Sequence, residues 1–171
     1  MISKAYLLLG SNQGNKLAIL KNAAEKLQEL SESPIQLSSF FESEPWGFEA
    51  DEWFVNLAII IETKRSPSEL LSAVLDIEKE LGRVRPYNTK QEKAEYGQSY
   101  TSRTLDIDIL LYENEIIDTG TLQIPHPKMH LRKFVLLPLF EIAPQEIHSV
   151  FKKTIKNLLQ ECEDKLIVRK I

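Results

Sequence analysis

The hydrophobic period of this chain changes in the order β-α-β-β-α-β, and few folds accommodate that order. "AYLLLGS" (5–11) reads as a buried strand, with Gly10, Ser11, Asn12 and Gly14 turning the chain after it. Asn15 is a candidate N-cap for a helix on which Leu17, Leu20, Ala24 and Leu27 recur at helical spacing. "QLSSFFES" (36–43) reads as a second strand, "EPWG" as a loop, and "WFVNLAIIIET" (53–63) as a long central strand, apolar on both faces. "SPSELLSAVLDIEKELG" (66–82) is a helix. Ser66 caps it, Pro67 fills its first turn, Glu69 completes a capping box, and Gly82 stops it. Its stripe is Leu70, Val74, Ile77 and Leu81. Residues 83–102 show no period and read as a long loop. A strand over 105–112, a hairpin turning at Asp118–Gly120, a proline-broken helix over 134–144 and a terminal helix over 152–162 complete the chain. The fold class is α+β: a ferredoxin-like βαββαβ antiparallel sheet with helices on one face and C-terminal additions. The other face is then open to a ligand. One domain over residues 1–171 is expected.

The strand "RTLDIDILLY" (103–112) carries the most chemistry. Leu105, Ile107 and Ile109 point one way, and Asp106 and Asp108 both point the other. Two carboxylates on one face repel unless something relieves them. A hard divalent cation does so, and Mg²⁺ is often held by one or two carboxylates plus substrate phosphates. The alternative is an edge strand kept soluble by its charge.

The neighbours favour the metal. The chain is net acidic, at −4, which argues against general nucleic-acid binding. Yet Arg83, Arg85, Lys90, Lys93 and Arg103 stand against only Glu92 and Glu95 in the stretch before the aspartates. "HPKMHLRK" adds His126, Lys128, His130, Arg132 and Lys133. Arginines gathered beside a carboxylate pair suit a polyphosphate with its metals. His126, between two prolines, is either a phosphate donor or a structural hydrogen-bonder. Asn56 shares a strand face with Phe54, and a buried amide there needs a partner, either backbone or the edge of a flat heterocycle. Phe54, Trp46 and Phe134 are either core or stacking surfaces. "GSNQGNK" lacks the spacing of a phosphate-binding P-loop and reads as a strand-to-helix turn. A single cysteine, Cys162, excludes an internal disulfide and fits a reducing compartment. No run reaches membrane-spanning length, and the first apolar run is too short for a secretory signal, so a cytoplasmic protein is expected.

Taken in order, "LLLGSNQGNK", "SEPWG", "FVNLAI", "IEKELGRVR", "SRTLDIDILLY" and "IPHPKMHLRKFVLLPLFEIAP" resemble the 6-hydroxymethyl-7,8-dihydropterin pyrophosphokinases of folate biosynthesis. The resemblance implies transfer of pyrophosphate from ATP to the pterin's hydroxymethyl group, leaving AMP. It implies two Mg²⁺ ions on Asp106 and Asp108, with Arg83 and Arg103 clamping phosphates as catalytic residues. Glu78, Arg85, His126 and Arg132 would contact ATP. Ser43, Glu44, Pro45 and Trp46 would border the pterin, Asn56 would bond its ring, and Phe54 and Phe134 would sandwich it. Phe54 stands where a tyrosine is common, and Tyr100 (or Tyr96) would replace a loop tryptophan. The expected partners are ATP and hydroxymethyl-dihydropterin, with no nucleic acid and no membrane, and the expected state is a monomer. Residues 86–102 would close over the two substrates. The rival readings are a metal-dependent nucleotidyltransferase, which would keep its Gly-Ser turn and Asp-x-Asp strand in one unit, and a non-enzymatic ferredoxin-like ligand-binding module.

Overall fold

The computed structural model describes residues 1–82 and 104–171. Strand β1 (Ser3–Ser11) leads to helix α1 (Lys16–Gln28), whose N-cap Asn15 accepts the Ala18 N–H through its side chain. Strands β2 (Gln36–Leu37) and β3 (Phe41–Ser43) precede the long β4 (Phe54–Thr63). Helix α2 (Pro67–Glu80) carries both halves of the capping box between Ser66 and Glu69, and Gly82 leaves it at φ +98°, a conformation that favours glycine. Strand β5 (Asp106–Tyr112) follows, then the small hairpin β6 (Ile117–Asp118) and β7 (Gln123–Ile124). A 3₁₀ turn (Met129–Leu131), helix α3 (Lys133–Ile142), helix α4 (Ile155–Glu161) and strand β8 (Val168–Lys170) end the fold.

The main sheet runs β5-β1-β4-β3-β8, with β2 also on β4. Every pairing in it is antiparallel. The alternation of β1 is used on both sides. Ala5, Leu7 and Leu9 join Leu57, Ile59, Ile61, Ile107 and Ile109 in a core under α1 and α2. Tyr6 and Leu8 join Ala58, Ile60, Leu110, Met129, Val135, Leu139 and Leu158 in a second core under α3 and α4.

Helices on one face only is therefore corrected. α3 and α4 cover part of the second face and leave open the part beside Gly10, Asn56 and Asp106. The single strand over 36–43 is also corrected: it breaks at Ser38. The Ser38 hydroxyl accepts the Ala58 N–H at 2.9 Å, while Ser38 N–H donates to the Ala58 carbonyl at 2.9 Å. A side-chain oxygen thus takes the place of a ladder carbonyl. Leu17 lies outside the α1 stripe, at 40% exposed, and Ala23 takes a buried place with Leu20, Ala24 and Leu27. Pro138 does not break α3 but sits inside it. The terminal helix starts only at Ile155, because Lys152 takes φ +56° and Thr154 caps by accepting the Asn157 N–H.

Candidate active site

Strand register assembles the floor of a pocket. Phe41, Asn56, Gly10 and Asp106 lie directly opposite one another across β3, β4, β1 and β5. Ala58, Leu8 and Asp108 form the next row. Directly opposed residues share a face, so both aspartates look toward the side that carries Asn56. A Cβ on Gly10 would stand 3.4 Å from Asn56 Oδ1 and 3.8 Å from the Phe54 ring, so glycine keeps the pocket floor open rather than avoiding a clash. The walls come from Ser43, Glu44, Trp46 and Phe48, from Phe54, from His126, and from Arg132 and Phe134 at the start of α3. The pocket volume is about 140 Å³.

The wall groups are held by named contacts. Asn56 Nδ2 donates to Ser43 Oγ at 2.8 Å and to the Phe41 carbonyl at 3.4 Å, which turns its Oδ1 toward Gly10. Phe48 meets Phe54 edge-on, with ring centroids 6.0 Å apart. The Arg132 guanidinium lies 4.6 Å from the Trp46 ring centroid and 5.6 Å from that of Phe134, and it is only 5% exposed. The Lys128 ammonium lies 5.9 Å from Trp46. Such contacts hold cations at an aromatic wall at a modest energetic gain.

A second, more polar pocket of about 450 Å³ opens on the other side of β5, between α2 and the β6–β7 hairpin. Leu71, Leu75, Glu78 and residues Thr119 to Gln123 line it. Asp106, Asp108 and His126 line both pockets. The carboxylate pair is therefore the wall that the two cavities share.

His126 is fixed in one form. Its Nδ1 accepts the Lys128 backbone N–H at 3.2 Å, so its proton sits on Nε2. Burial, aided by the charge of Arg132 and opposed by that of Asp106, pushes His126 down to about 4. It is a neutral hydrogen-bond donor at neutral pH. Asp106 and Asp108 fit a hard cation. They are two oxygen donors on one strand face beside a polar pocket, and no group of three His, Cys, Asp or Glu side chains converges among the described residues. A site of that kind leaves the remaining coordination to phosphate and water oxygens, as Mg²⁺ requires.

Residues 6–144 match the family model for 7,8-dihydro-6-hydroxymethylpterin-pyrophosphokinase. The chain belongs to this pyrophosphokinase family. Curated relatives carry the name 2-amino-4-hydroxy-6-hydroxymethyldihydropteridine pyrophosphokinase. That of Aquifex aeolicus is 38% identical over 160 residues, covering 94% of this chain and 92% of its own. That of Bacillus subtilis is 41% identical over 142 residues, covering 82% of this chain and 78% of its own. A solved HPPK-DHPS chain of Plasmodium falciparum with pteroate superposes with a TM-score of 0.70 at 16% identity. It shares the fold over 94% of this chain, which spans 44% of that longer one. No helix among the described residues is long and apolar enough to cross a membrane.

Ser43, Glu44, Trp46, Phe54, Asn56, Asp106, Asp108, His126, Arg132 and Phe134 converge on the first pocket. Pro45 is not among its lining residues. Glu78 lines the polar pocket, but one carboxylate oxygen accepts the backbone N–H of Ile107 at 2.9 Å. Arg83, Arg85, Tyr96, Tyr100 and Arg103, and the closing loop expected over 86–102, lie outside the described residues. Sequence reasoning missed Gly10 and Phe48 in the first pocket, and Leu71, Leu75 and the Thr119–Gln123 turn in the second. The turn Gly47, at φ +82°, placed just before Phe48 is the one local signal for it.

Proposed function

We propose that this site transfers pyrophosphate from ATP to the hydroxymethyl group of 6-hydroxymethyl-7,8-dihydropterin. The observation that carries the reading is that Asp106, Asp108 and His126 line both an aromatic pocket and a polar one. A transfer enzyme needs its two substrates to meet at one boundary. The pterin occupies the aromatic side. Asn56 Oδ1 accepts from its N–H edge, Ser43 to Trp46 border it, and Phe54 and Phe134 stack on it. ATP occupies the polar side beside Glu78, with His126 Nε2–H and the Arg132 cation directed to phosphate oxygens. In the reaction the hydroxymethyl oxygen bonds to Pβ and the bond from Pβ to the α–β bridging oxygen breaks. AMP leaves with that oxygen, and the hydroxyl proton passes to water.

Asp106 and Asp108 would hold two Mg²⁺ ions, which when bound would neutralise charge on the triphosphate. By the family resemblance Arg83 and Arg103 would act on the same phosphates, Arg85 on the nucleotide and Tyr100 on the pterin. There is little covalent work for side chains in such a transfer, so charge placement sets the rate. The sheet is read as ferredoxin-like, its strand order and, with β2 and β3 counted as one interrupted strand, its element order β-α-β-β-α-β supporting that reading. The chain acts as one catalytic domain and as a cytoplasmic monomer. The test is direct: the protein is mixed with ATP, Mg²⁺ and the pterin alcohol, and nucleotide products are separated. AMP with pterin diphosphate is expected. ADP, free pyrophosphate, or no turnover would refute the reading.

A further inference from the structure

Residues 164–171 lie beyond the part of the chain that matches the family model, yet they touch both walls of the aromatic pocket. On one side, β8 pairs with β3, Val168 opposite Ser43 and Arg169 opposite Glu42. Glu44 N–H donates to the Ile167 carbonyl at 3.2 Å, and Ile167 N–H donates to Glu44 Oε2 at 2.6 Å. Arg169 binds Glu42 Oε2 through Nε at 2.9 Å and Nη2 at 2.7 Å, and its guanidinium lies 5.1 Å from the Trp53 ring. On the other side, Asp164 Oδ2 accepts the Lys133 N–H at 3.0 Å, while its Oδ1 accepts the Leu166 N–H at 3.0 Å. Lys133 is the first residue of α3, between Arg132 and Phe134. The residue at that helix's own N-cap, Arg132, makes no side-chain capping bond. Asp164 supplies from outside the acceptor that helix starts usually find locally, and its charge suits a helix N-terminus.

We propose that residues 164–171 are a positioning brace for the heterocycle pocket. The Asp164 carboxylate fixes the wall bearing Arg132 and Phe134, and Ile167 with β8 fixes the wall bearing Ser43 to Trp46. Eight consecutive residues thus set the gap into which a flat ring must fit. Nothing in the segment lines the polar pocket. The brace therefore tunes affinity for the heterocycle through both walls and reaches the nucleotide only through Arg132. This inference rests on the reading of the aromatic pocket as the pterin site.

The experiment compares wild type with Asp164→Ala, Asp164→Asn and Ile167→Pro. Ile167→Pro removes the N–H that Glu44 accepts. Dissociation constants are measured separately for 6-hydroxymethylpterin, by fluorescence, and for α,β-methylene-ATP with Mg²⁺, by calorimetry. Circular dichroism verifies folding. Asp164→Ala and Ile167→Pro should each weaken pterin binding about five- to tenfold, the worth of one well-placed hydrogen bond. Nucleotide binding should stay within about twofold in Ile167→Pro and fall less than pterin binding in Asp164→Ala. Asp164→Asn, which keeps one of the two oxygen acceptors, should recover part of the loss. Unchanged pterin affinity in folded Asp164→Ala, or equal losses for both ligands, overturns the brace. Should Ile167→Pro not fold, Asp164→Ala decides alone, since it removes one carboxylate from a loop. A wild-type chain that forms no AMP refutes the pterin reading itself, whereas wild-type AMP formation with unaffected variants refutes the brace alone.

Discussion

The Glu78 carboxylate accepts the backbone N–H of Ile107, the residue between Asp106 and Asp108, at 2.9 Å. β5 is an edge strand among the described residues, so this N–H points away from β1 and finds its acceptor on α2 instead of on another strand. Glu78 is 1% exposed, and the bond is buried. The carboxylate holds the strand that carries the pair. Glu78→Gln, which retains an oxygen acceptor, should keep the Ile107 amide slow to exchange. Glu78→Leu should leave it unsatisfied, at a cost of about 1 to 3 kcal/mol, and speed its exchange. Slow Ile107 exchange in Glu78→Leu would refute the clamp.

Asp106→Ala and Asp108→Ala should each lower turnover by on the order of 10³ at saturating Mg²⁺. Both side chains are only partly buried, and removing one of two like charges relieves repulsion, so thermal unfolding should stay near wild type. Turnover close to wild type in both variants would remove the metal assignment.

Gly10→Ala tests the pocket floor without touching a polar group. Its Cβ would meet Asn56 Oδ1 and Phe54 at 3.4 and 3.8 Å, which are ordinary contacts, so the fold should tolerate it. The methyl group takes space from the ring. Pterin affinity should fall about tenfold while nucleotide affinity holds. An unchanged pterin dissociation constant would mean that the ring binds elsewhere.

The histidines predict an acid window. Burial pushes His126 down to about 4 and, with the charge of His130 adding, pushes His148 down to about 4 as well. In the unfolded chain both titrate near 6.5. Between those values the unfolded chain takes up protons that the folded chain refuses, so stability falls as pH drops from about 6.5 to about 4. The loss should be on the order of 2 kcal/mol per histidine. Urea unfolding across that range, repeated with His148→Gln, checks it. A slope unchanged by the substitution would exclude His148 as a source.

What could be read from the sequence was whatever one segment decides by itself. The alternation Leu105 to Ile109 put Asp106 and Asp108 on one face, and Ser66 with Glu69 announced the start of α2. Gly10 escaped because its place depends on the register of β1 against β4 and β5, which no single segment contains. α3 is apolar almost all round, so its period could not say that it covers a second sheet face. Ser38 broke a strand through one hydroxyl that also suits an unbroken strand. β8 is three residues long, too short for any period, and its meaning lies wholly in what it pairs with. The arginine-rich stretch was legible as charge, and Arg83 and Arg103 lie outside the described residues.

One irregularity in β5 has a consequence for how this gene can change. The pairing of β1 with β5 shifts between Tyr6 and Leu7: Tyr6 faces Leu111, Leu7 faces Ile109, and Leu110 is the extra residue. Leu110 and Leu111 then both enter the core under α3, while Tyr112 turns to the opposite core and donates its hydroxyl to the Arg65 carbonyl at 2.6 Å. Deleting Leu110 would restore strict alternation and leave Asp106, Asp108, Leu111 and Tyr112 on their present faces. Deleting Ile107 would instead make the two aspartates neighbours and turn them to opposite faces. The spacing between the aspartates is thus inherited information of a kind that residue identity does not carry. This strand can lose a codon at the bulge, and a one-codon deletion at Ile107 splits the pair.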